Sequence, residues 1–548
     1  MRTRLIVVVA LVALAVALLV GMTSDAGSAK PDRQTTSFKL QISKDVACAP
    51  LTGRAYVIVS TDDSDEPRYL IDITGVPFWG KDVCDVRPGQ VFTIGGGPGV
   101  YGYPLEKVAA LPEGDYWVQA FFNVYTKFER SDGSLVWLHM PGGDGGYPFD
   151  SPGNLYSTPI QVHLSPWKAK NVKLVLDQVI EPADPVPPGG TAQQGNPAES
   201  EHVKHVKIQS ALLSEFWGTP IYIAADVLLP EGYDESTEDY PVVYLHGHYP
   251  SRNPYDFRED LSNSFSQWWV AEDTPRMIVV QFRHENPYYD DSYAVNSANL
   301  GPYGDAITQE LMPALDAQFR TINERWARTI TGGSTGGWEA LAQQIFYPEL
   351  YSGCWVRSPD SLDFRFHQLI NVYDDENAYF NLSEWVKVPR PAARSITGDT
   401  RWTVEQENLW EAALGTHGRS GWGQWDIWQA VFGPQGEDGY PAPIWDKKSG
   451  TIDHDVAEAW RAMDLRLYLE ENWATLGPQL AGRLHIYAGD DDNYFLNNGV
   501  ELMEAFLDST TDPPADADVQ YGHNQGHSWW PYTMPELLTL MYEAMQSE

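Results

Sequence analysis

The stretch "ARTITGGSTGGWEALAQQIF", residues 327–346, decides the fold. Its opening "RTIT" is a short β-branched run, the composition of a packed strand. After the glycines, Trp338, Leu341, Ala342 and Ile345 recur at helical spacing until Pro348 stops the pattern. Between the two runs, Gly332-Gly333-Ser334-Thr335-Gly336 spells G-x-S-x-G, a nucleophile elbow when it joins a strand to a helix. Such a turn is sharp, so the positions two before and two after the serine must lack side chains. Ser334 then stands above a sheet edge, at the positive end of the following helix, and Gly337 lets that helix pack closely. An ordinary glycine-rich turn is the plain alternative. A phosphate loop fits less well, because the stretch has neither the P-loop lysine nor G-x-G-x-x-G.

Working outward, residues 201–548 alternate strand-like and helical texture. "YIAADVLL", "PVVYLHG", "MIVVQF", "CWVR" and "LHIYA" are strand runs. The segment "GDAITQELMPALDAQFR" places Ile307, Leu311, Ala314 and Leu315 on one helical face, with Asp305 positioned to cap its start. This alternation predicts a mostly parallel sheet covered on both faces. The interval from about 360 to 480 is too long for one crossover. It carries Trp385, Trp402, Trp410, Trp422, Trp425, Trp428, Trp445 and Trp460, and reads as a partly helical insertion whose tryptophans mostly fill its own core.

Upstream, residues 36–178 hold short strand runs between Gly, Pro and Asp turns, the pattern of an all-β, sandwich-like domain. Residues 181–200, "EPADPVPPGGTAQQGNPAES", have the composition of a linker. At residues 1–29, Arg2 and Arg4 precede an apolar run from Leu5 to Met22 and then small residues, which is an export signal. The expected location is outside the cytoplasm, secreted or periplasmic. That run is also long enough to span a bilayer if uncleaved, which would anchor the chain to a membrane.

The 548 residues carry a net charge of −38, which repels phosphate backbones and leaves no expectation of a nucleic-acid partner. Three cysteines, Cys48, Cys84 and Cys354, cannot build a thiolate metal site, and export permits a Cys48–Cys84 disulfide. No metal and no cofactor are expected.

A serine hydroxyl needs a base, and the base needs an acid to fix its tautomer. In chain order the acid and then the histidine should follow an elbow serine. "GRLHIYAGDDDNYFL" ends a strand in acids, and "YGHNQGHSWWPY" is a histidine-rich loop before the last helix. Among Asp490, Asp491 and Asp492 the reading favours Asp492; between His523 and His527 it favours His527. For the oxyanion, Thr335 supplies one backbone N–H. The His246-Gly247-His248 loop after "PVVYL" supplies the other, assigned to His248.

These residues resemble the esterase family of α/β-hydrolases that includes S-formylglutathione hydrolases (the esterase D type), siderophore esterases, feruloyl and acetyl-xylan esterases, and mycolyltransferases. The resemblance spans about residues 203–545 and rests on "VLLPEGYD", "YPVVYLHGH", "GGSTGGWEAL", "YPELYSGCWVRSPD", "GDDDN" and "GHSWW". It implies an α/β-hydrolase fold, the triad Ser334, Asp492 and His527, and a secreted serine carboxylic-ester hydrolase. The expected partner is a small-molecule or polysaccharide-linked ester. A serine peptidase or an acyltransferase would use the same triad, and a carbohydrate- or cell-surface-binding protein with a relict site is the non-catalytic alternative.

Further candidates for the substrate cleft are His246, Arg283, His284, Trp529 and Trp530, all next to predicted strand ends or the base. "TIDHDV", with Asp453, His454 and Asp455, has metal-like composition, but a helix cap explains it as simply.

Overall fold

The structure is a computed structural model and describes residues 36–139, 147–248 and 252–547. The expected export segment, residues 1–29, lies outside the described residues. Among those described, no helix is long and apolar enough to cross a membrane.

Eight strands form the central sheet: β1 (Val203–Ser210), β2 (Ile221–Leu228), β3 (Val242–His246), β4 (Ile278–Arg283), β5 (Arg328–Gly333), β6 (Gly353–Arg357), β7 (Leu484–Gly489) and β8 (Asp518–Gly522). Their spatial order is β1-β2-β4-β3-β5-β6-β7-β8. The β1–β2 and β2–β4 pairs are antiparallel and every later pair is parallel, as expected of an α/β-hydrolase sheet. The inner strands β3 and β4 are buried almost along their whole length because both faces are covered. Val242, Tyr244, Ile278 and Val280 enter one core, while their neighbours Val243 and Val279 enter another. The first core is closed by α1 (Thr335–Phe346) and the second by α2 (Met534–Ser547).

The insertion between β6 and β7 folds as short hairpins and helices. Trp425, Trp428, Trp445 and Trp460 are buried in it around His367, whose ring meets those of Trp425, Trp428 and Trp460 edge-on. Core filling therefore accounts for these tryptophans. Trp385, at 85% exposure, is the exception.

Within residues 37–179 a three-stranded and a seven-stranded sheet pack together, and a separate hairpin, Thr126–Glu129 with Leu135–Leu138, packs into the first core of the central sheet. Phe38, Leu40, Ile42, Val172 and Leu174 of the smaller sheet share a core with Ala55, Val57, Val118 and Phe122 of the larger. The outer face of the larger sheet is covered too: Tyr56, Ile58 and Phe121 pack against Trp410, Ala413 and Leu414 of the insertion.

Residues 181–200, read as a linker, make polar contacts of their own: Asn196 Nδ2 donates to the His205 carbonyl at 2.6 Å, and Asp184 pairs with Arg252 at 3.0 Å. Two expectations need correction. Cys48 and Cys84 are free and exposed, so no disulfide joins them. Asp305 lies inside its helix instead of capping it, and accepts a hydrogen bond from Tyr347 at 3.0 Å.

Candidate active site

β5 ends at Gly333, α1 begins at Thr335, and the residue between them takes the strain. Ser334 has φ 58° and ψ −127°, a backbone state costly for any residue with a Cβ. The turn is tight enough to exclude side chains at its flanks. A Cβ on Gly332 would lie 2.1 Å from the Gly336 carbonyl oxygen, and one on Gly336 would lie 2.3 Å from that of His246. The α1 N-terminus is thereby pressed against the His246-Gly247-His248 loop, with the Thr335 N–H among the free donors of its first turn.

Asp492 is fully buried after β7 and His527 lies after β8. His527 Nδ1 is 2.8 Å from Asp492 Oδ2. The other oxygen, Oδ1, accepts the N–H groups of Tyr494 at 2.8 Å and Leu496 at 3.3 Å, which fixes the carboxylate plane. Asn493 Oδ1 accepts the His527 N–H at 3.1 Å, and the Tyr494 ring meets the imidazole edge-on at 4.9 Å. Asp490 instead pairs with the exposed His523, at 2.9 Å. The two Asp–His pairs run side by side, and only one is sheltered.

Among the described residues no group hydrogen-bonds to the Ser334 hydroxyl, so the Ser334–His527 contact is open in this state. Catalytic contacts of this kind often tighten only when substrate binds. The two residues are nonetheless linked through one side chain. A Cβ on Gly333 would lie 2.8 Å from Arg357 Nε, so the guanidinium lies against the elbow. Its Nη1 donates to the Ser528 carbonyl at 3.1 Å, one residue past His527.

Ser334 opens into a cavity of about 480 Å³ lined also by Leu245, His248, Tyr255, Arg357 and Trp530. Among the described residues no carboxylate lies within ion-pair distance of Arg357, and burial lowers its pKa, opposed by the charge of Asp492. Burial would also depress His248, but the carboxylates of Asp290 and of Asp291, the latter at 2.8 Å, outweigh it and raise its pKa to about 9. The pocket wall thus carries two cations. Asp360 closes the back of the elbow. Its N–H donates to the Ser334 carbonyl at 3.2 Å, and its Oδ2 accepts from Tyr293 at 2.6 Å, Thr335 Oγ1 at 3.1 Å and Trp428 Nε1 at 3.2 Å. Burial raises its pKa against those hydrogen bonds.

Three of the expected cleft residues do not face the cleft with a side chain. Arg283 is fully buried and paired with Asp226 at 3.0 Å on the neighbouring strand. His246 and His284 are buried behind the elbow. Trp529 packs over Gly522, while Trp530 does line the cavity. Asp453 caps its helix by accepting the Asp455 and Val456 N–H groups, as the simpler reading had it. Arg357, Asp360 and Arg394, whose Nε donates to the Asp492 carbonyl at 2.8 Å, were missed. The first two stand at or just past the end of β6, which marks them as site candidates in a parallel sheet.

Residues 219–467 match the sequence model of the family described as "Putative esterase". The chain is similar to a solved ferulic acid esterase, with 18% identity, covering 63% of this chain and 98% of that one, at a TM-score of 0.34. It is similar to an S-formylglutathione hydrolase from Agrobacterium tumefaciens, with 15% identity over 64% and 98% of the two chains and a TM-score of 0.35. A third similar structure is a fluorophosphonate-binding serine hydrolase from Staphylococcus aureus, with 13% identity over 62% and 98% and a TM-score of 0.35. No curated protein matches.

Proposed function

We infer that the chain, whose residues 219–467 match the family model described as "Putative esterase", is a carboxylic ester hydrolase that works through Ser334, His527 and Asp492. The observation that supports this reading is the 2.8 Å contact between buried Asp492 and His527, with Arg357 reaching from the strained elbow to the carbonyl one residue past His527.

In this mechanism Ser334 Oγ attacks the ester carbonyl carbon as His527 Nε2 takes its proton. Asp492 keeps the Nδ1 proton in place and stabilises the imidazolium. The oxyanion accepts hydrogen bonds from the N–H groups of Thr335 and His248, each worth about 3 kcal/mol in the transition state. Collapse expels the alkoxide, which receives the proton from His527 and leaves an acyl-enzyme on Ser334. Water, deprotonated by His527, then releases the acid and restores the serine.

The substrate is a small-molecule or polysaccharide-linked ester whose flat or apolar part lies on Trp530 and Tyr255. The positively charged, apolar N-terminus supports export, and the charge of −38 argues against a nucleic-acid partner. The test is hydrolysis of p-nitrophenyl acetate by the purified chain. Turnover by the wild type that is lost in Ser334→Ala supports the reading, and equal turnover by both refutes it.

A further inference from the structure

Behind the elbow, three ionisable side chains from three elements converge in the interior. His246 ends β3, His284 follows β4, and Glu339 lies on α1 five residues after Ser334. All three are at most 1% exposed. His246 Nδ1 lies 3.5 Å from Glu339 Oε2, and His284 Nε2 lies 3.8 Å from Glu339 Oε1. The two imidazole centroids are 5.8 Å apart, and one donor atom from each residue falls within 4.8 Å of the other two.

None of these separations is a hydrogen bond. Both ring nitrogens of His246 and both oxygens of Glu339 are buried without a hydrogen-bond partner. Each such atom costs about 1–3 kcal/mol when left unpaired, and here four of them, on two residues, face one another.

One donor atom from each of three residues on three elements, gathered within 4.8 Å, is a spacing that a small cation can draw together. Two imidazole nitrogens and one carboxylate, with no thiolate, suit zinc or a similar first-row ion.

We propose that His246, His284 and Glu339 hold one divalent transition ion, with zinc as the best match, in a buried site that clamps β3 to α1. The ion touches no substrate. It fixes the loop carrying the His248 N–H against the helix that carries the Thr335 N–H, and so sets the spacing of the two oxyanion donors. His284 Nδ1 accepts the Ser292 N–H at 3.0 Å, with Ser292 Oγ also 3.0 Å away. Ligation through Nε2 therefore moves the ring proton to Nδ1, breaks the bond from the Ser292 N–H and donates the proton to Ser292 Oγ instead.

This site stands apart from the esterase reading, and Ser334→Ala separates the two. The full chain, expressed with zinc supplementation and purified without chelator, should carry about one zinc per molecule. Dialysis against dipicolinate should remove it and lower the melting midpoint by about 3–5 °C, and added zinc should restore both. Ser334→Ala should load fully, whereas His246→Ala and Glu339→Gln should retain less than about a tenth of the metal. Cobalt loaded in place of zinc should give the visible absorption of a tetrahedral site, absent in His284→Ala. A wild type that binds neither ion and melts identically with chelator or zinc overturns the proposal. So does a Glu339→Gln protein that folds and keeps the full metal content. Because the chelation arm uses the wild type, the result holds even if a variant fails to fold.

Discussion

Arg357 Nη1 and the Ser528 carbonyl oxygen are 3.1 Å apart, and this contact joins the strand beside the elbow to the loop that carries His527. The same guanidinium lies over Trp530 at 5.7 Å and against the backbone of Gly333. Nucleophile and base sit on different strand ends, so their separation depends on what spans the gap between them. Arg357→Ala should lower kcat/KM for a neutral ester by roughly tenfold, the effect of losing one charge-assisted hydrogen bond at a positioning residue. Its melting midpoint should stay within about 2 °C of wild type. An unchanged kcat/KM would show that the loop is held by other contacts.

The two aspartates at the end of β7 should behave differently. Asp492→Asn removes the buried acceptor of the His527 Nδ1 proton and should cut kcat by on the order of 10³–10⁴-fold. Asp490→Asn affects only the exposed pair with His523 and should change kcat by less than about threefold. Initial rates on one chromogenic ester suffice, and equal losses would reopen the choice of acid.

Gly336→Ala tests the packing beneath the oxyanion loop. Its Cβ would sit 2.3 Å from the His246 carbonyl oxygen and 2.7 Å from the Gly247 nitrogen, both backbone atoms with little room to retreat. Displacing them should cost about 100-fold or more in kcat and lower the melting midpoint. Gly97→Ala, where a Cβ meets nothing within 4 Å, is the matched control and should change neither.

At the start of β1, His202 contacts Glu259 at 2.8 Å and Glu231 at 3.1 Å. Burial opposes its protonation, but the two carboxylates outweigh it and raise the pKa above 6.5. Burial likewise opposes ionisation of Glu259, yet the hydrogen bonds of Ser200 and His202 lower its pKa below 4.5. The raised histidine stabilises the fold fully below pH 6.5 and loses this contribution as pH rises through its folded value. The depressed glutamate contributes above pH 4.5 and loses its share as pH falls. Relative to His202→Gln, the wild type should therefore gain most in melting midpoint between pH 4.5 and 6.5, with the gap narrowing on either side. A gap independent of pH would remove the charge pairing from the account.

Much of this was legible in the chain itself. Strict apolar runs such as "PVVYL" mark strands covered on both faces, and the glycines around Ser334 mark a turn with no room for side chains. The order of serine, acid and histidine then narrows the search to two short loops. Periodicity could not foresee which side chains face each other across strands. Arg283 looked like a cleft residue because it ends a strand, but Asp226 on β2 claims it, a partner visible only through the sheet register. His246 and His284 were read as pocket groups for the same reason, although the elbow covers them. Arg357 and Asp360 carried only the weak signal of a strand end, where an arginine or an aspartate has many ordinary uses. The pairing of Cys48 with Cys84 failed because sharing a domain does not bring two thiols together.

The central claim concerns the Ser334 oxygen, and covalent labelling tests it most directly. Incubating the purified chain with a fluorophosphonate should add one phosphonyl group per molecule, and peptide mass spectrometry should place it on Ser334, within the peptide spanning "TITGGSTGGWEAL". Asp492→Asn should label far more slowly, and Ser334→Ala should not label at all. An unlabelled wild type, or an adduct on any other residue, would contradict the account.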